Sequence, residues 1–304
     1  MSTPPSSSPQ PSSTAAALAG LSPDAALALL VGLIDDAAVF PPGDAAMADA
    51  VVAHRAHRRS AHGVLVGPFL APVSRMAELL DALDADDSTD PLDLVLVADT
   101  GLVEAAEARA VLLDDDRVEL VGLELALPAD GPLGESAALT LDSLDFALPA
   151  AIEIPRAPGW RDALVTIADD GAERAKFRTG GTTAAAYPSE TELAERIVAA
   201  VELGARFKLT AGLHHPVRRT DPDTGFEEHG FLNALAATAV AIRGGDVEAV
   251  AAVLAERDAA PLLAVLADAD ARAVRARFTS FGSCSIDEPV AALRGLGMIE
   301  DEDS

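Results

Sequence analysis

Eight short apolar runs, each followed by a stretch of helical periodicity, constrain the fold of this chain more than any other feature. The runs fall at 37–40, 63–70, 92–98, 118–125, 150–154, 173–178, 206–211 and 277–281. The helix-like stretches lie near 44–60, 73–84, 102–113, 138–146, 160–168, 189–203 and 231–275, with a last one at 286–297. Strands that alternate with helices run parallel, because each helical crossover returns the chain to the same end of the sheet. Eight such units make a (β/α)8 TIM-type barrel, and 304 residues suit one domain of that kind. A doubly wound open sheet is the main alternative. No Gly-x-Gly-x-x-Gly follows any of the runs, so a dinucleotide-binding version is not expected.

Residues 1–20, rich in Ser and Pro, cannot bury a core and are expected to be a disordered tail. Ser22-Pro23-Asp24 then opens a helix that should run to about Ile34, with a capping hydroxyl, a proline at the first helical position and an early acid. The barrel domain spans 21–299, and 300–304 is an acidic end. After the seventh run the rhythm breaks. Leu213 to Gly230 is a long polar loop with few core apolar residues, and 231–275 holds two or three helices. An extended loop and extra helices after strand seven are where a barrel builds a lid or a substrate wall.

A net charge of −27 at pH 7 repels phosphate backbones and anionic lipids, so neither nucleic acid nor a membrane is expected as a partner. No apolar run is long enough to span a bilayer, and the N-terminus has no secretory character. The single cysteine, Cys284, excludes an internal disulfide and a cysteine-cluster zinc site. The expectation is a cytoplasmic protein that takes a small-molecule substrate and needs no cofactor; assembly as a homo-oligomer stays open.

The basic residues divide into 20 Arg and 2 Lys, and both lysines fall within runs expected to be strands. Where Arg serves for every generic positive charge, Lys marks positions that need an amine, which can form a Schiff base and titrate. Strand alternation puts Lys176 and Arg178 on one face, opposite Ala175 and Phe177. In the next strand it puts Lys208 and Thr210 opposite Phe207, Leu209 and Ala211. The apolar face meets the helices, so the polar face points into the barrel. The same rule turns Glu153 and Glu124 inward. Neighbouring strands lie about 4.8 Å apart, so these groups on four consecutive strands are within reach of one another. Lys176 with Lys208 beside it, and Glu124 or Glu153 to move protons, is an arrangement for iminium chemistry; a buried ion-pair lattice is the structural alternative.

Lys176-Phe-Arg-Thr179-Gly180 has the Lys-x-x-Thr-Gly form of strand six in deoxyribose-phosphate aldolases, and Lys208-Leu-Thr210-Ala-Gly212 resembles their Lys-x-Ser-x-Gly on strand seven. The resemblance covers the C-terminal third. It implies that Lys176 is the Schiff-base lysine and that Lys208 is the second cation, lowering the pKa of the first. It also implies that Gly282-Ser283-Cys-Ser285 is similar to a phosphate-holding loop after strand eight. That family carries an aspartate on strand four where this chain has Glu124, and it lacks the loop that holds His214, His215 and His229.

Those three histidines are candidates for substrate contact, proton transfer or a metal, with loop structure as the other reading, while His54, His57 and His62 suit a solvated or capping role. Thr179-Gly180-Gly181-Thr182-Thr183 can wrap an anion with backbone N–H groups, with Arg178 adding charge; a flexible loop is the other reading. Ser285-Ile-Asp287-Glu288 reads as a capping box for the last helix. Asp35-Asp36, before the first strand, and Asp99, ending the third, sit where barrels keep acids or metal ligands, but read first as turn or cap residues. The function expected from these residues is a lyase or isomerase acting on a small carbonyl compound, phosphorylated or not, through a lysine iminium. The alternatives are a metal-assisted hydrolase using the loop histidines and barrel carboxylates, and a non-catalytic barrel that binds an anionic metabolite.

Overall fold

The computed structural model describes residues 20–144 and 148–300. The expected tail, but for its last residue, and the acidic end after residue 300 lie outside them, as do residues 145 and 146 of the helix expected at 138–146. Eight parallel strands close into a barrel: β1 (Ile34–Asp36), β2 (Val66–Pro72), β3 (Leu92–Val97), β4 (Val118–Ala126), β5 (Ala150–Glu153), β6 (Arg174–Arg178), β7 (Arg206–Thr210) and β10 (Phe278–Ser283). β1 pairs with both β2 and β10, which removes every open edge. β8 (Arg219–Thr220) and β9 (Glu227–Glu228) form a separate antiparallel ribbon in the loop after β7.

Helix α1 (Pro23–Leu30) starts as its sequence dictates, with the Ser22 hydroxyl accepting the Ala25 N–H at 3.2 Å. It packs against α11 (Ala271–Arg277). The crossover helices are α2 (Met47–Arg59), α3 (Met76–Asp84), α4 (Leu102–Leu113), α5 (Leu133–Ser143), α6 (Trp160–Asp170) and α7 (Glu190–Glu202). α7 opens on a full capping box between Ser189 and Glu192. After β7 come α8 (Phe231–Ile242), α9 (Val247–Leu254), α10 (Ala259–Ala267) and α11, four helices where two or three are expected. Gly244 in the left-handed region and the Asp246, Asp258 and Asp270 caps divide the stretch. α12 (Asp287–Gly295) closes the chain.

Helix α1 stops at Leu30, short of Ile34, which opens β1, and β2 runs over Val66–Pro72 rather than 63–70; three further boundaries differ from the sequence expectation for physical reasons. The first strand is Ile34–Asp36, not 37–40, because both aspartates are buried against cationic or imidazole partners rather than exposed in a turn. The fourth crossover helix begins at Leu133, earlier than 138, with Leu133, Ala137 and Thr140 forming its buried face. The last strand continues through Ser283, since β1 pairs with it as far as Asp36 opposite Ser283.

The layer between sheet and helices holds most of the core, including six phenylalanines, Phe69, Phe177, Phe207, Phe231, Phe278 and Phe281. Phe207 stacks on Phe278 at 5.4 Å and Phe231 on Phe281 at 5.2 Å. Each buried ring contributes roughly 1.5–3 kcal/mol. They sit mainly behind β6, β7 and β10, so the strands that carry the two lysines have the stiffest backing. Among the described residues, no helix is long and apolar enough to cross a membrane.

Candidate functional site

Alternation on β4 to β7 sends Glu124, Glu153, Lys176 and Lys208 into the barrel, where they join one continuous chain of charges. Lys208 Nζ donates to Asp35 Oδ2 at 2.5 Å and to Glu124 Oε1. Glu124 Oε2 accepts from Lys176 Nζ at 2.7 Å, and Glu153 Oε2 lies 3.1 Å from the same amine. Arg178 Nε donates to Glu153 Oε1 at 2.8 Å. Three carboxylates and three cations alternate and sum to zero charge. The chain crosses the barrel axis between β7 and β4 and ends at the C-terminal mouth. Lys208 and Glu124 are each 2% exposed, whereas the Arg178 side chain is 46% exposed.

The electrostatics follow from burial and pairing. Burial alone would raise the Glu124 carboxyl, but Lys176 and Lys208 outweigh it and hold the group down at about 2. Burial also works against the Glu153 carboxylate, and Lys176 with Arg178 again brings it below the ordinary range. For Lys208, burial favours the neutral amine; Asp35 and Glu124 overcome this and raise its pKa. The repulsion expected between the two lysines is therefore intercepted. Glu124 stands between the amines, and Glu153 between Lys176 and Arg178.

Asp35 and Ser280 belong to this chain and were missed by the sequence reading. Ser280 Oγ donates to Asp35 Oδ2 at 2.7 Å, opposite the Lys208 bond to the same oxygen. Gly67 on β2 leaves room for the Asp35 carboxylate, since any Cβ there would collide with Asp35 Oδ1. The available signal was alternation through Ile34-Asp35-Asp36, which sends the two acids to opposite faces. Asp36 accordingly points outward, to His54 Nδ1 at 3.0 Å beneath α2, where both side chains are buried, and His54 is neither solvated nor a cap.

The loop candidates distribute differently. Thr179 is fully buried; its N–H bonds the Thr210 carbonyl at 2.9 Å and its hydroxyl the Ala211 carbonyl at 2.5 Å, tying the exits of β6 and β7 together. The Gly181 backbone hydrogen-bonds the Tyr187 phenol. The backbone donors of Thr179 and Gly181, both in the segment expected to wrap an anion, thus meet protein acceptors. At Gly180, an added Cβ would lie 2.7 Å from Gly212 Cα, and Ala211 and Gly212 both sit in the left-handed region, with φ of 64° and 73°. Only glycine admits this approach of the two loops. Gly180→Ala is expected to cost about 1–3 kcal/mol by forcing the exits of β6 and β7 apart, read as a lower urea midpoint; an unchanged midpoint would show that the loops yield freely. Thr210 faces the interior beside Gly282.

Gly282 and Ser283 are strand residues rather than a loop. Ser283 Oγ donates to the Ser285 carbonyl at 2.6 Å, and Ser285 Oγ accepts the Glu288 N–H at 3.2 Å. Ser285 caps α12 as expected. The Glu288 side chain does not close the box: it lies 3.2 Å from His214 Nδ1. Cys284 Sγ is 3.9 Å from the same nitrogen, and burial raises the thiol pKa. His215 is half-buried and holds the Phe231 N–H through its carbonyl. His229, 1% exposed, has Nε2 2.8 Å from the Pro188 carbonyl and Nδ1 3.3 Å from Arg218 Nη1. Both its nitrogens serve the loop. Among the described residues no three His, Cys, Asp or Glu side chains converge as metal ligands, and the three loop histidines point apart. Leu213 is the loop's one residue in the buried apolar core among the described residues, and Arg218, Glu228 and His229 are buried as polar groups.

Burial lowers the His229 pKa to about 4. The unfolded chain takes up a proton near 6.5 and the folded chain resists it until about 4, so stability falls as pH drops through that window. The loss is on the order of 3 kcal/mol at about 1.4 kcal/mol per pH unit. Urea midpoints at pH 7 and pH 4.5 should show it, and His229→Gln should be less stable at pH 7 with a flatter profile. An equally steep profile in that variant would assign the acid sensitivity elsewhere.

Comparison of the chain with protein-family models, curated proteins and solved structures returned no match.

Proposed function

We propose that this barrel is a lyase or isomerase that processes a small carbonyl compound through an iminium on Lys176. The observation that carries the reading is the pair of carboxylates on the Lys176 amine, Glu124 at 2.7 Å and Glu153 at 3.1 Å, at the mouth side of a neutral charge chain. Condensation of an ammonium with a carbonyl gives an iminium and water, with no net change of charge. Carboxylates that hold the ammonium therefore hold the iminium equally well, and the desolvated site needs no counter-ion from solvent.

The first step moves one proton from Lys176 to Glu153, which faces the mouth and has Arg178 at its other oxygen. The neutral Nζ attacks the carbonyl carbon, the C–N bond forms, and the carbonyl oxygen is protonated. Its C–O bond then breaks and water leaves, giving the iminium. In the lyase branch a carboxylate takes the proton of a β-hydroxyl, the Cα–Cβ bond breaks, and its electron pair neutralises the iminium as an enamine. Loss of that charge removes one cation from Glu124 and Glu153, so their basicity rises when a proton must be accepted. Protonation at Cα and hydrolysis return the lysine. In the isomerase branch the proton lost is the one on Cα.

Lys208 remains the charged positioning group between Asp35 and Glu124. The strand-six and strand-seven lysines with an acid of strand four between them match the layout implied by the resemblance to deoxyribose-phosphate aldolases, with glutamate in place of aspartate. Cyanoborohydride trapping with small aldehydes tests the reading: a mass increase on the Lys176 peptide supports it, and none with any aldehyde sinks it. The donor sets in the loop after β7 do not fit the metal-dependent alternative.

A further inference from the structure

The barrel interior is divided into two unlike halves. Strands β4 to β7 and β10, joined by Asp35 of β1, contribute the charge chain, Thr210 and Ser280. Strands β1 to β3 contribute Ala37, just beyond β1, with Leu70 and Val95, a buried apolar cluster separate from the main core. Phe40 and Val97 pack against this cluster. Register keeps Val97 on the inner face, since it pairs with Glu124, and Leu70 pairs with Val95. None of these side chains carries a polar atom. Between the halves stands Gly282, where an added Cβ would have as its nearest neighbours Thr210 Oγ1 at 3.5 Å and Ala37 and Leu70 at 3.9 Å, ordinary contact distances. There is space for a methyl group on the barrel's inner wall at this point.

Resting on the iminium reading above, we infer that the substrate is an aldehyde or ketone with an unoxygenated alkyl arm, seated against Gly282, Leu70 and Val97. With the carbonyl carbon bonded to Lys176, one substituent faces the carboxylates and Arg178, and the other faces the β1–β3 wall. Against the side chains of Leu70, Val95 and Val97, which carry no donor or acceptor, a hydroxyl on the second arm would lose the hydrogen bonds it made with water. An alkyl arm gains by the same transfer. The wall therefore selects against polyhydroxylated, sugar-like chains on that side and leaves oxygen substituents to the charged side.

The test uses the full-length protein and three aldehydes of equal length: propanal, lactaldehyde and glyceraldehyde. Each is trapped with cyanoborohydride, and the rate of mass addition at Lys176 is normalised to that of N-acetyl-lysine under the same conditions. Propanal is expected to exceed glyceraldehyde by roughly tenfold or more. Leu70→Asn should bring the ratio toward one while trapping persists. Val97→Thr, nearly isosteric and only partly buried, provides the same reading should the first variant not fold. Gly282→Ala should lower the propanal rate relative to acetaldehyde by filling the space for the arm. Trapping at Lys176 with a ratio at or below one, or a ratio that neither wall variant changes, overturns the inference and leaves the iminium reading standing. No trapping at Lys176 with any of the aldehydes overturns both.

Discussion

Lys176→Arg is expected to bring cyanoborohydride-dependent mass addition to background and to reduce turnover by roughly a thousandfold or more, while the protein stays folded. The guanidinium keeps the positive charge between Glu124 and Glu153, so the charge chain stays neutral, but it cannot condense with a carbonyl. The labelled peptide in the native protein should contain Lys176 alone. Lys208 is 2% exposed, bonded to two carboxylates, and its pKa is raised by Asp35 and Glu124 against the pull of burial. Lys208→Arg should retain labelling at Lys176. Full activity in Lys176→Arg would reduce the amine to a mere charge, and an anion-binding barrel would become the better reading.

Glu124→Gln should destabilise the fold by about 3–5 kcal/mol, the usual result of removing one partner from a buried ion pair. Among the described residues Glu124 is the only carboxylate shared by both lysines, and without it the chain of charges carries a net positive charge inside the barrel. The same quantity is visible in acid. With its carboxyl held at about 2 in the folded state against an ordinary value of 4.5, Glu124 contributes stability that is fully present above about 4.5 and lost as pH falls toward 2. Urea denaturation from pH 4 to pH 3, below the His229 window, should show a slope that Glu124→Gln reduces. Joint replacement as Glu124→Leu with Lys208→Met should recover part of the stability lost by either single change, since apolar groups of like size replace buried pairs at little cost. Additive losses in that double variant would show that the charges do not act as one unit.

Strand-to-helix alternation, and with it the closed parallel barrel, was legible in the chain because burial on an outer face and an inner face imposes a period of two on each strand. The same rule turned Glu124, Glu153, Lys176 and Lys208 inward, and the structure places all four on the inner face. Asp35 escaped the reading because the alternation of a three-residue strand is too brief to stand out, and an Asp-Asp pair before an apolar run resembles a turn. Its identity as a strand residue depends on Lys208, 173 positions away, and on Ser280, 245 positions away. His229 was misjudged for a similar reason. Its buried role is set by the Pro188 carbonyl and Arg218, which nothing in its own segment announces.

The pattern of apolar and polar residues along each strand was enough to determine which side chains enter the barrel, because that choice is local and repeats every two residues. Which of them meet was decided only by closure of the sheet. Pairing β1 with β10 brings Asp35 to Lys208, and the barrel's width lets Glu124 reach across to both amines. An interior charge is tolerable only where an opposite charge arrives from another strand, and that arrival is a property of the closed ring and of no single segment.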